Sequence, residues 1–443
     1  MKQKGKTLWQ IFVLLSFVIS FSGCKDDNNE DSELPFNPSE QIEITGFNPE
    51  SAGGGANFFI YGKNFGTDAS IIDVTVNDKK AIVINADGTT IYCMVPTNAG
   101  SGHVKVTIGT EETGIQEVIS EKEFQYKGAL RVGTLVGWVD KDNHSSTTNG
   151  TFEEAQFQEP AWLRFGETKD EIYVTQQTTA IRKIDLKNRR VETLFPRTGG
   201  VTNGARTLAF SIKYDTLYIS NDQDNKEEAA VSYALKKENY KQVRKLIAGR
   251  KCNGADIHPI HGDLFYNCYD GGELYRWNRE TQTSDFLYRA GDVNWEYYVQ
   301  FEPDGNFAYL VCRNRHYILK TFYDWKTHTL SHPSVFVGVR SEHGGYADGV
   351  GTSAWFRGPN EGCFDKDKNF YICDVDNHCI RKITPDGIVT TFAGRPGEAG
   401  YADGDLRNQA QFLWPVGIIY DDEKDIFYIS DCGNHRIRTI KAE

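Results

Sequence analysis

Two stretches decide how this chain is read: AWFRGPNEGCFDKDKNFYICDVDNHCIRKI at 354–383 and AQFLWPVGIIYDDEKDIFYISDCGNHRIRTI at 410–440. They align along their length, and each is preceded by the same five residues, GYADG, at 345–349 and 400–404. A third copy, AQFQEPAWLRFGETKDEIYVTQQTTAIRKI at 155–184, carries Asn149-Gly150 where the others have the Asp-Gly of GYADG. A short motif written twice could mark a duplicated ligand loop. Embedded in a longer repeat, it marks a duplicated structural unit.

Working outward, TLAFSIKYDTLYISND (207–222), ADIHPIHGDLFYNCYDGGELYRW (255–277) and YYVQFEPDGNFAYLVCRNRHYILKTF (297–322) fit the same template with degraded motifs. Each of the six units reads as a strand, a hairpin, a second strand and a third, with period-two alternation. The clear copies resemble the NHL repeat family in YICDVDNHCIRKI and YISDCGNHRIR. That resemblance implies a β-propeller, whose blades need a fourth strand. Candidates follow five of the units: VETLF (191–195), VRKLIAG (243–249), DFLYRAG (285–291), SVFVG (334–338) and IVTTFAG (388–394). The sixth unit has none after it, but RVGTLVG (131–137) matches IVTTFAG in apolar pattern. The expectation is a six-bladed propeller over 129–443, closed by its N-terminal strand.

From 42 to 127 short β-rich runs alternate with Gly, Asn and Asp turns. ITGFNPESAGGGANFFIYGKNFG, VTVNDKKAIVIN and MVPTNAGSGHVKVTI, in that order, resemble the IPT/TIG family of immunoglobulin-like domains. The fold class expected is therefore all-β, a small sandwich followed by the propeller. Aromatics at 13%, 42 Gly and only 39% hydrophobic residues suit that reading better than helical bundles. IPT/TIG domains act as spacers or interaction modules, so a protein partner on this domain is one expectation.

The N-terminus reads as a targeting segment: Lys2, Lys4 and Lys6, then the apolar LWQIFVLLSFVISF, too short for a convincing membrane span. It ends in FSGC, which resembles the bacterial lipobox and makes Cys24 the expected lipidated residue of a mature chain, with 1–23 removed. KDDNNEDSELPFNPSE reads as a disordered acidic tether over 24–41, and its KDD resembles an outer-face export tag of some Gram-negative bacteria. The expected location is the outer membrane, exposed at the cell surface. A net charge of -12 argues against nucleic acid as partner. The eight other Cys show no CxxC and no zinc spacing, and several lie in apolar strands where Cys is a small buried hydrophobe. No metal or cofactor is expected.

Function in such a fold sits on loops around the channel. Alignment places Gln176, Asn221, Tyr269, Cys312, Asp374 and Asp431 at the ends of second strands, and Trp162, Arg206, Asp256, Trp295, Tyr297, Glu361 and Trp414 at the starts of first strands. Of these, Trp162, Arg206, Asp256, Tyr269, Trp295, Tyr297, Glu361, Asp374, Trp414 and Asp431 are the candidate ligand-binding set, with the tryptophans read either as an exposed stacking ring or as packing between blades. Asp348 and Asp403 are expected to cap their own loops, and His378 and His435 to serve a tight turn. HPIHGD (258–263) reads as a turn rather than a metal pair. Trp277 and Trp355 read as core. The cluster Arg313, Arg315 and His316 suits an anionic group or surface salt bridges.

No GxSxG, HExxH, phosphate-cradling Gly loop or EF-hand occurs, so no catalytic residue is assigned. Anchor, tether, IPT/TIG spacer and NHL-like propeller together resemble surface lipoproteins of polysaccharide-uptake systems. This implies carbohydrate capture at the channel face. A hydrolase or lyase at the channel mouth, or a scaffold in an outer-membrane complex, are the alternatives. If Cys24 carries the anchor, Cys24→Ala abolishes incorporation of labelled fatty acid and removes the protein from protease-accessible sites on intact cells. Undiminished surface exposure of the variant refutes the anchor.

Overall fold

The computed structural model describes residues 35–176, 179–291 and 295–443. The targeting segment, Cys24 and most of the expected tether lie outside the described residues. The chain divides into two compact units meeting between Tyr126 and Lys127.

The first unit is a two-sheet sandwich. Strands Glu43–Asn48, Asn57–Lys63, Thr90–Met94 and Ile82–Ala86 form one sheet; Ser51–Ala52, Gly114–Tyr126, Gly102–Thr110, Ile72–Val76 and Lys79–Lys80 form the other. Inward positions of the alternating pattern meet in a core of Phe58, Ile60, Phe65, Val74, Ile91, Val106 and Phe124, all fully buried. Residues 35–41, expected as the end of the tether, are fastened to this unit. The Asn64 amide donates to the carbonyls of Asn37 (2.8 Å) and Glu40 (2.7 Å), and its oxygen accepts the Asn37 N–H.

The second unit contains six four-stranded antiparallel blades. Their first strands, in chain order, are Pro160–Phe165, Ala205–Phe210, Ala255–Ile257, Tyr297–Phe301, Pro359–Phe364 and Pro415–Asp421. The last blade takes its outer strand from the N-terminal side: Leu130–Val136 pairs antiparallel with Arg436–Ala442, matching Val132 to Ile440 and Gly133 to Thr439. Second strands such as Ile426–Asp431 are buried on both faces, because each blade is packed between two neighbours. Gly150-Thr151, Gly349-Val350 and Gly404-Asp405 form short fifth edges on the outer strands of blades one, five and six. GYADG and Asn149-Gly150 therefore occupy one structural position.

Behind that position lies a repeated clamp. Arg381 is fully buried, its guanidinium donating to Asp374 Oδ2 and Asp348 Oδ1 (both 2.8 Å) and to the carbonyls of Trp355 and Ala347. Arg438 repeats this with Asp431 and Asp403 (both 2.6 Å), Gln411 and Ala402. Asp348 and Asp403 are thus held by the signature arginine, not by their own loop's backbone as expected. Blade one keeps the geometry without the carboxylates: Arg182 donates to Gln176 Oε1 (2.7 Å) and Asn149 Oδ1 (3.1 Å). Burial lowers the Arg182 guanidinium from its ordinary value to about 10.

A second repeated contact joins neighbouring blades. His316, His378 and His435 each sit in left-handed backbone, with φ of 64°, 56° and 57°. Their Nδ1 atoms accept the backbone N–H of Gly358 (3.0 Å), Trp414 (3.2 Å) and Glu159 (3.2 Å), the residue just before the next blade in each case. The accepting form is the neutral imidazole, and burial lowers all three histidines below their ordinary value. The unfolded chain, titrating near pH 6.5, takes up protons first as pH falls. These contacts therefore contribute fully above about pH 6.5 and lose their contribution as pH drops through the lower folded values. In urea unfolding between pH 7.5 and 5.5, His378→Asn plus His435→Asn, which tolerates the left-handed backbone, flattens the slope of stability against pH. An unchanged slope in the double variant refutes this role for the two histidines.

Candidate functional site

The channel is filled before it can hold a ligand at mid-depth. Trp162 of blade one meets Tyr298 of blade four, the opposite blade, with ring centroids 5.9 Å apart. Below them Glu361 of blade five reaches past blade six to accept the Leu163 N–H at 2.9 Å. Gly417 leaves room for this crossing, since a Cβ there would come within 2.6 Å of Glu361 Oε2. Burial pushes the Glu361 carboxyl up to about 8, against the pull of the Leu163 N–H and Arg164, so it carries a proton at neutral pH. Deeper still, Arg164 pairs with the buried Asp256, which also accepts the Phe301 N–H at 3.1 Å. These crossings tie non-neighbouring blades together.

One open cleft lies at the rim beside the plug. This cleft of about 460 Å³ is lined by Arg197, Asn203, Gly204, Arg206, Asp222, Gln223, Asp224, Asn225 and Glu228. It exists because blade two departs from the repeat. Its connection from second to third strand runs 222–228, where blades five and six need only 375–378 and 432–435. The longer loop is braced by itself: Gln223 Oε1 accepts the Asn225 N–H (2.6 Å), and Asn225 Oδ1 accepts that of Glu227 (3.0 Å). Arg206 pairs with Asp222 at 2.9 Å and lies over the Trp162 ring, 5.2 Å from its centroid. The Tyr269 hydroxyl donates to Asp222 at 2.8 Å, and burial, then that carboxylate, pushes its phenol well above the ordinary value, so it remains a donor.

The candidate set divides accordingly. Arg206 lines the cleft, and Tyr269 touches it through Asp222. Trp162 and Trp295 are 1% and 4% exposed, Trp295 packing edge-on to Tyr317 beneath Arg340, so the exposed ring of tryptophans does not form. Of the three, Trp414 alone is open, at 50%, on the rim above His378. Tyr297 is fully buried, its hydroxyl donating to the Glu273 carbonyl. Asp256 and Glu361 are buried crossings of the channel. Asp374 and Asp431 are fully buried, their oxygens taken by the clamp arginines, Asn377, Asn434 and the N–H groups of Arg357 and Leu413. These buried groups cannot present their polar atoms to a ligand from solvent, which corrects their assignment as ligand-facing residues.

Other side chains differ as well. Trp355, expected in the core, is 37% exposed between buried Ala354 and Phe356, while Trp277 is buried as expected. Arg313 and Arg315 are met by Glu296 (3.0 Å) and Glu342 (3.9 Å). The residues that sequence reasoning missed are Asp222, Asp224, Asn225 and Glu228. Their signal was the lengthened NDQDNKEE connection, masked because that unit was matched only through its strands.

Known proteins compare as follows. The IPT/TIG domain family matches residues 43–126. An auxiliary nutrient binding protein from Bacteroides thetaiotaomicron is 36% identical, with 93% of this chain and 100% of that one covered and a TM-score of 0.70. One of the same description from Bacteroides ovatus is 29% identical over 92% and 100%, with a TM-score of 0.75. A putative phosphatase from B. thetaiotaomicron is 32% identical over 92% and 98%, with a TM-score of 0.71. The human NHL repeat-containing protein 2 is 27% identical over 100 residues, which are 22% of this chain and 14% of that protein.

The plug gives a direct expectation. Trp162→Ala opens a cavity between opposite blades and costs about 3–5 kcal/mol of stability in urea unfolding, whereas Trp414→Ala on the rim changes it little. Equal stability for the two variants refutes the packing role of Trp162.

Proposed function

We propose that this chain, which belongs to the same family as the auxiliary nutrient binding protein of Bacteroides thetaiotaomicron, is itself a nutrient-binding protein that captures a carbohydrate at the blade-two rim of its propeller. The observation that carries this reading is the braced cleft around Arg206 and Asp222. Its walls offer guanidinium, carboxylate and amide groups side by side, the donors and acceptors that replace water around sugar hydroxyls. Its loop is already ordered by its own hydrogen bonds, so little ordering entropy is lost on binding. Trp414 supplies an open aromatic face elsewhere on the same rim side. The lipidated Cys24 would hold the protein at the outer cell surface, with the IPT/TIG domain as a spacer or a contact for other proteins.

A phosphoryl-transfer reading, suggested by the name of the putative phosphatase, has less support. The cleft lining holds three carboxylates, Asp222, Asp224 and Glu228, against two arginines. That excess opposes a phosphate dianion.

Affinity electrophoresis against plant and host polysaccharides tests the reading. A retained wild type, with retention weakened roughly tenfold (about 1.4 kcal/mol) by Arg206→Ala and by Glu228→Gln at unchanged Tm, is the expected result. Retention indifferent to both substitutions overturns the site. Hydrolysis of p-nitrophenyl phosphate lost in Arg206→Ala replaces the binding reading with the phosphatase one.

A further inference from the structure

HPIHGD forms the first hairpin of blade three, as its turn-like sequence suggests, but its side chains meet a second hairpin. One donor atom each from His261, Asp263 and His328 lies within 4.8 Å of the other two. His328 comes from blade four, in the turn between Tyr317–Asp324 and Thr329–Leu330. We propose that His261, Asp263 and His328 form a binding site for a divalent first-row transition-metal ion of the zinc type, joining the hairpins of blades three and four.

The donor chemistry selects the class of ion. Two imidazoles and one carboxylate suit zinc and its neighbours, whereas magnesium and calcium require shells dominated by oxygen. Three protein donors leave a position for water, and the exposure of His261 gives the ion a route from solvent.

The surroundings fix the donors. The Tyr323 hydroxyl donates to Asp263 Oδ2 at 2.7 Å and lies 3.0 Å from His261 Nδ1, so one side chain orients two of the three. His328 Nδ1 stands 3.4 Å from Asp263 Oδ2, and its left-handed backbone, φ 57°, is held by Arg276 donating to its carbonyl at 3.0 Å. Trp325 packs edge-on against His261, and His258 stacks on Tyr323 at 3.7 Å, closing the apolar side. Groups orienting metal ligands in this way are themselves worth about 10–100-fold in affinity. Among the described residues a second cluster, Asp140, Asp142 and His144, draws all its donors from one loop, with Asp142 and His144 exposed, and joins no two hairpins.

Isothermal titration of the untagged protein with ZnCl2 tests the site. The expected result is single-site saturable binding, weakened at least about tenfold by His261→Ala and by His328→Asn, unchanged by His144→Ala, and absent with MgCl2. Asn suits the left-handed backbone at 328, and an unchanged Tm in chelator confirms that each variant is folded. If His328→Asn does not fold, His261→Ala alone decides. No saturable zinc binding, binding indifferent to His261→Ala, or equal affinity for magnesium overturns the proposal.

Discussion

The propeller depends on a guanidinium buried where water cannot reach it. Arg381 and Arg438 are each inserted between two carboxylates and two carbonyls, and an ion so desolvated is tolerable only with every partner in place. Burial raises the Asp374 carboxyl to about 6 despite Arg381 and Asn377, which leaves it ionised at neutral pH. That requirement fixes several parts of the repeat at once. The Asp must end the second strand, the Arg must sit in the third, and the Asp-Gly must return on the outer edge. Blade one shows the tolerance of the device, keeping its arginine but answering it with the neutral amides of Gln176 and Asn149.

The ring adds constraints that no single blade contains. His316, His378 and His435, at the second-to-third-strand turns of blades four, five and six, each accept an N–H from the following blade, so the order and spacing of these blades are set by hydrogen bonds as well as by packing. Closure comes from pairing across the whole unit, Leu130–Val136 against Arg436–Ala442, so that the third strand of the last blade is not left as an unpaired outer edge. Across the channel, Trp162 with Tyr298, Glu361 with Leu163 and Arg164 with Asp256 join blades that are not neighbours. Filling the channel at mid-depth leaves the blade-two cleft at the rim beside the plug. There, blade two replaces the tight clamp turn with the loop 222–228, trading a structural contact for a cleft.

Much of this architecture was legible in the chain. The copies at 354–383 and 410–440, aligned through GYADG, imposed a repeated blade, and period-two alternation located its strands. RVGTLVG could be assigned to the last blade because its apolar pattern matched IVTTFAG. These features are local or repeated, so each copy confirms the others. The candidate site was less legible. Arg206 and Tyr269 were reached by alignment, but Trp162 and Trp295 carry the same letters whether they stack on a ligand or pack between blades. Asp374 and Asp431 looked like channel carboxylates until their arginines were placed opposite them.

What the sequence determined by itself was the blade, the number of blades and the strand that closes them, because hydrogen-bonded strands impose a period that residue patterns must obey. What only the tertiary structure decided was which polar and aromatic side chains meet solvent. That depends on contacts between residues far apart in the chain, such as Trp162 with Tyr298 and His261 with His328. Neither alternation nor repeat spacing encodes a distance across a ring.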